Sequence, residues 1–211
     1  MILVIAAMKS EVDAILAFYP FKKISEHLFR YVYHTKEIYL TVSGVGKVAA
    51  AHRLSSIIAT YQVDKIYNLG VAGATKPYQQ GDTVLIESAM YHDFDLTMFD
   101  YEKGQVPGCP PQFKSSPELI DKASSQMVLK KANLLTGDCF MTNQLPGSYA
   151  VDMEGAALYH VAFLEDKPIV SVKVISDIMG MESHLESYQA FEASKGAELL
   201  LKVFQKIIVE G

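Results

Sequence analysis

The chain has 211 residues, half of them apolar and a fifth charged, with a formal net charge of −5. Such a length buries about 70% of the unfolded surface, which predicts one core and one domain over residues 1–211. The composition excludes disorder, and the acidic balance gives no field for a nucleic-acid backbone.

In chain order, Met1–Ala6 is a continuous apolar run and predicts a buried strand. Residues Met8–Phe18 carry apolar positions at helical spacing, and Pro20 stops them. Leu28–Tyr33 and Glu37–Val42 predict a hairpin around His34–Lys36. Ser43–Gly46 breaks the pattern before a helix over Lys47–Tyr61. Lys65–Leu69 predicts a strand ended by a turn at Gly70-Val71-Ala72-Gly73. Asp82–Tyr91 predicts another strand, and Asp93–Pro117, rich in proline and aromatics, a long ordered loop. A helix over Pro117–Met127, a strand over Ala132–Thr136 and a short strand over Tyr149–Asp152 follow. That last strand leads straight into a helix over Met153–Leu164. Pro168–Ile175 predicts an apolar strand, and Leu185–Val209 the closing helix. Strands alternating with crossover helices define an α/β sandwich with a parallel or mixed sheet.

Two cysteines, Cys109 and Cys139, cannot build a disulfide framework or a four-thiolate zinc site. No apolar stretch reaches the ~20 residues that span a bilayer, and Met1–Ala7 shows no basic leader. The expectation is a cytoplasmic protein that keeps away from membranes and nucleic acids.

In open α/β folds, ligands bind outside the carboxyl ends of the strands. Three acids fall there: Glu11, Glu154 and Asp177. Each alone fits a helix first turn or a cap; together they predict one acidic crevice. Gly44-Val45-Gly46-Lys47-Val48-Ala49 superficially matches a dinucleotide turn, but its strand closes a hairpin and Asp64 stands before the next strand. It also lacks the first glycine and the hydroxyl residue of a P-loop. The helix N-terminus could still face a ligand hydroxyl or anion. In Tyr91-His92-Asp93-Phe94-Asp95, strand alternation would turn His92 away from both acids, so no metal site is expected. Cys139 has no basic neighbour in sequence to make it a nucleophile.

Four segments, Ala6–Glu11, Ser43–Ala50, Val151–Ala156 and Val174–Asp177, together resemble the 5′-methylthioadenosine/S-adenosylhomocysteine nucleosidases of the nucleoside phosphorylase superfamily. A fifth, Tyr91–Asp93 with Gly104–Gly108, resembles a loop of those nucleosidases. The resemblance runs over nearly the whole chain in order. It implies a single-domain, three-layer αβα sandwich with a central mixed sheet, and hydrolysis of an adenine N-glycosidic bond without cofactor or metal. It also implies the roles. Glu11 would polarise the attacking water, and Asp177 would protonate purine N7. Glu154 would grip the ribose hydroxyls, with Met153 against the sugar. Phe140 would stack on the purine, and the Met141 backbone would address its edge. Val45, Ala72, Gly73 and Ser176 would complete the substrate site. Leu96, Phe99 and Pro107 resemble residues that a second subunit contributes to a 5′-alkylthio pocket, which implies a homodimer. The sequence departs from the family at Lys173, where arginine is usual, at Val71, where serine is common, and in the short stretch Gln144–Tyr149. Two alternatives stand beside this reading: a nucleoside phosphorylase using phosphate, and a non-catalytic purine-binding protein of the same fold.

Overall fold

The computed structural model describes residues 1–143, 145–180, 188, 191 and 195–211. The strands are β1 (Ile2–Ala6), β2 (Lys22–Lys23), β3 (Leu28–Tyr33), β4 (Lys36–Val42), β5 (Lys65–Ala74), β6 (Thr83–Tyr91), β7 (Phe113–Lys114), β8 (Lys130–Thr136), β9 (Tyr149–Asp152) and β10 (Ile169–Ile178). The helices are α1 (Lys9–Phe18), α2 (Lys47–Thr60), α3 (Pro117–Gln126), α4 (Gly155–Leu164) and α5 (Ala197–Val203), which continues as a π-helix over Phe204–Glu210. Of the expected closing helix, most of 185–194 lies outside the described residues.

All ten strands belong to one mixed sheet. Strand β1 is parallel to β4 and to β5, and β5 is parallel to β10. At the other end the sheet curls, so that β5, β10, β6, β8 and β9 pair in a closed ring. Because β1 is covered on both faces, all five of its residues are buried, and their alternation splits the core. Leu3 and Ile5 pack on α2 and α4 through Leu54, Ile57 and Tyr159. Val4 and Ala6 pack on α1, α3 and α5 through Ile15, Leu119 and Leu200. Helices on both faces of a sheet give the expected three layers. No helix among the described residues is long and apolar enough to cross a membrane.

Two departures from the sequence expectation shape the site. The glycine-rich segment is not a turn: β5 runs on through Gly70–Gly73 to Ala74, paired with β10 along its length. Likewise β10 does not stop at Ile175 but reaches Ile178, with a bulge between Ile175 and Asp177. Asp177 therefore sits inside a strand, opposite Gly73. A bulge resets the alternation of faces, and bulges commonly re-aim a functional side chain.

Along its other edge, β5 changes partner. Lys65–Asn68 pair with β1, whereas Gly73 and Ala74 pair with β9. Between them the edge is open. A ligand crevice is expected where a sheet changes its neighbours in this way.

Candidate active site

Glu11 fills the opening in the sheet edge. The first turn of α1 directs its carboxylate backwards, where Oε2 accepts the Ala7 and Met8 N–H groups at 2.9 and 2.8 Å. Its Oε1 accepts the Val71 N–H at 2.8 Å, so the carboxylate stands in for the missing strand partner of β5. This contact is to backbone, so it does not depend on the Val71 side chain. Burial pushes the Glu11 carboxyl above its ordinary range, against the opposing pull of the Lys173 charge and the three N–H donors.

Lys173 lies behind the cleft on β10 and is buried. Its Nζ meets Asp152 Oδ2 at 2.9 Å. Burial alone would lower the ammonium, but Asp152, Glu11 and Glu154 together hold it above its ordinary value. A Cβ on Gly70 would stand 2.7 Å from Glu11 Oε1 and 3.3 Å from Lys173 Nζ, so this residue must be glycine for the acid and the ammonium to keep their places. The point charge of lysine meets a single carboxylate oxygen of Asp152 here. Asp152 is further fixed by the Thr136 hydroxyl at 2.6 Å and the Gly155 N–H at 3.0 Å.

Glu154 precedes α4 and is buried, with Oε1 accepting the Gly46 N–H at 2.8 Å. The N-terminus of α2 therefore faces a carboxylate of the protein itself. A second carboxylate, Asp138, accepts the Lys47 N–H at 2.8 Å. The dinucleotide reading fails on this occupancy and not on topology, because β4 also lies parallel to β1 and leads through α2 to parallel β5. Burial, and then the neighbouring Asp152 charge, raise Glu154 to about 7.

Asp177 completes the set. The Ser176 hydroxyl lies 2.5 Å from its Oδ1. Gly73 is its floor: a Cβ there would come within 2.9 Å of Asp177 Oδ2.

These acids border one cleft of about 660 Å³, counted to its open mouth. Glu11, Glu154, Asp177, Met153, Phe140, Met141, Val45, Ala72, Gly73 and Ser176 all line it. Sequence reasoning missed Met8, Cys139, Met179, Tyr188 and above all Asp152 as wall residues. The Phe140 ring meets Tyr188 edge-on, with centroids 5.6 Å apart. Beneath, Leu135, Val151 and Met179 form a small apolar cluster that also takes up Met141, Leu145 and Tyr149. The short connection before β9 is pinned there, since the Thr75 hydroxyl donates to Gly147 O and accepts the Tyr149 N–H, both at 2.8 Å. Gln144 of that stretch lies outside the described residues.

Leu96, Phe99 and Pro107 do not line the cleft of their own chain. Phe99 is 65% exposed, Pro107 is exposed and Leu96 is half-buried. The 93–117 loop is thus divided. Phe94, Val106 and Cys109 fold back onto the core, whereas Met98 and Phe99 face outward.

The expectation that His92 turns away from Asp93 rests on strand alternation, but β6 ends at Tyr91. The His92 and Asp93 side chains instead meet over Gly137. Among the described residues, no group of three His, Cys, Asp or Glu side chains is placed to hold a metal ion.

The described wall of the cleft carries four carboxyl groups and no lysine, arginine or histidine. Four carboxyl groups in one cleft can donate and accept protons, and fold and site together define an enzyme of acid–base chemistry. The chain belongs to the Phosphorylase superfamily, which it matches over residues 1–208. It is 36% identical over 193 residues to the 5′-methylthioadenosine/S-adenosylhomocysteine nucleosidase of Bacillus subtilis, covering 83% of this chain and 84% of that one. The nucleosidase of Neisseria meningitidis, solved in complex with methylthio-immucillin-A, superposes with a TM-score of 0.90 at 27% identity, covering 100% and 99% of the two chains. A futalosine hydrolase mutant of Helicobacter pylori gives a TM-score of 0.91 at 28% identity, covering 100% and 99%.

Proposed function

We propose that this protein hydrolyses the N-glycosidic bond of 5′-methylthioadenosine, S-adenosylhomocysteine and related 5′-substituted adenosines, releasing adenine. The observation that carries the reading is the meeting of Glu11, Glu154 and Asp177, from three distant segments, in one cleft whose described wall holds no cation. Cleavage builds positive charge on the ribose and negative charge on the departing base. Fixed carboxylates stabilise the first, and a proton donor relieves the second. In this reading Asp177 delivers a proton to purine N7, so that adenine leaves neutral. Glu11, held by three N–H groups, orients the water that attacks the anomeric carbon. Glu154 accepts the ribose hydroxyls above Met153. Phe140 stacks on the base, and the Met141 backbone meets its edge. Val45, Ala72, Gly73 and Ser176 shape the remaining wall.

The 5′ substituent points to the cleft mouth. A second copy of the chain, in a homodimer, supplies Leu96, Phe99 and Pro107 to cover it. The outward-facing position of Phe99 supports this arrangement, since an exposed apolar ring gains by such burial. The protein would work in the cytoplasm, in methionine salvage. A phosphorylase is disfavoured because the described wall offers phosphate no cation and sets four carboxyl groups, Glu11 among them, around the space it would fill.

Chromatography of methylthioadenosine incubated with the purified chain in phosphate-free buffer tests the assignment. Adenine is expected to accumulate over many turnovers. Adenine binding in a calorimeter without any cleavage of the nucleoside would establish the purine-binding alternative instead.

A further inference from the structure

Lys47, Asp93 and Asp138 stand outside the cleft lining, yet they tie together the start of α2, the start of the 93–117 loop and the segment that leads to Phe140 and Met141. The Lys47 ammonium donates to Asp93 Oδ2 at 2.6 Å and lies 3.6 Å from Asp138 Oδ2. Its backbone N–H donates to Asp138 Oδ1 at 2.8 Å. The Asp138 N–H in turn donates to Asp93 Oδ2 at 2.9 Å, which closes the cycle. The Lys47 ammonium also sits over the Tyr91 ring, 5.5 Å from its centre.

Two corners lead to the cleft, and the third to the loop whose Met98 and Phe99 face outward. Gly46, one residue before Lys47, holds Glu154 through its N–H. Asp138 opens the irregular segment that carries Phe140 and Met141 along the cleft wall. Asp93 begins the loop that carries Leu96 and Phe99. Two glycines let these chains approach so closely. A Cβ on Gly46 would stand 3.2 Å from Asp138 Oδ1, and one on Gly137 would collide with the His92 ring. The cluster lies at the protein surface beside the cleft, with the Lys47 and Asp93 side chains 24% and 25% exposed, so solvent screens the pair in part.

We infer that the Lys47–Asp93–Asp138 cluster is a positioning device for the adenine subsite, fixing segment 138–141 against the first turn of α2 and so against Glu154. The inference rests on the reading of the cleft as an adenine-nucleoside site. Irregular backbone needs outside ties to hold a binding surface in place, and supporting contacts of this kind decide how well a site is preorganised. None of the three side chains reaches the cleft, so none takes part in proton transfer. Their loss should weaken the grip on adenine and leave the chemical step nearly intact.

The test is calorimetric titration of adenine into the wild-type chain and into Lys47→Met, Lys47→Arg, Asp93→Ala and the Lys47→Met/Asp93→Ala double variant. Turnover of methylthioadenosine and the melting temperature are measured on the same samples. Lys47→Met and Asp93→Ala should each raise the adenine Kd about 3- to 10-fold, the size expected for losing one ordinary hydrogen bond. Their kcat should stay within about 3-fold of wild type, as fits a residue that does not touch the reacting atoms. Lys47→Arg should restore most of the affinity, and the double variant should bind no worse than the weaker single one, because both break one network. Should Lys47→Met or Asp93→Ala not fold, Asp93→Asn, which keeps an acceptor for the Asp138 N–H, carries the test. Unchanged adenine affinity in folded variants, or a fall in kcat as large as the loss of affinity, would overturn the inference. A wild-type chain that neither binds adenine nor cleaves the nucleoside would instead overturn the functional reading on which it rests.

Discussion

Asp177→Asn is expected to lower kcat for methylthioadenosine by about 10²–10⁴, the usual worth of a general acid. Asparagine fills the same space beside Gly73 and can still meet the Ser176 hydroxyl, so the cleft should keep its shape. It has no acidic proton to give, and adenine would have to leave as an anion. Adenine affinity should therefore change little while kcat collapses, the signature of an interaction made only in the transition state. Steady-state kinetics with parallel adenine titrations would check this. A near-normal kcat would remove Asp177 from the mechanism.

Glu154→Gln should separate stability from activity. The carboxyl is held at about 7, against an ordinary value of 4.5, because burial and the Asp152 charge disfavour its ionised form. Between those two values the folded state binds more protons than the unfolded chain, so stability falls as pH rises through that window. Above it, the full penalty remains, on the order of 3 kcal/mol for a displacement of this size. Glutamine keeps an oxygen for the Gly46 N–H and carries no charge. The variant should therefore melt higher than wild type at pH 8, and the advantage should vanish towards pH 4. At the same time it loses the anionic acceptor for the ribose hydroxyls. Its kcat/KM should fall about 10- to 100-fold, the range for a hydrogen bond to a charged group. Thermal denaturation at pH 4, 6 and 8 beside initial rates would decide it. A variant less stable than wild type at pH 8 would contradict the assigned electrostatics.

The residues readable from sequence are those whose meaning is local. Glu11, Glu154 and Asp177 are legible as candidates because acids near strand ends in an α/β chain point to one crevice, although β10 runs on past Asp177 to Ile178. What could not be read depends on who meets whom across the sheet. Gly70–Gly73 has the composition of a turn, and only its pairing with β10 keeps it a strand. The small residues serve to make room for Glu11 and Asp177, which is a tertiary reason for glycine and leaves no periodic trace. Asp152 belonged to a motif already noticed, yet its role needs Lys173, which stands on another strand. The grip of Gly46 on Glu154 spans 108 positions, and Lys47 lies 91 from Asp138. Periodicity shows which face of an element is buried, but not which side chain waits opposite.

The central claim is that water, and not phosphate, attacks the sugar in a cleft bordered by acids. Nuclear magnetic resonance of the products formed from methylthioadenosine, with and without added inorganic phosphate, tests it most directly. Free methylthioribose and adenine should appear in both samples at the same rate. A sugar 1-phosphate, or a reaction that starts only when phosphate is present, would contradict it.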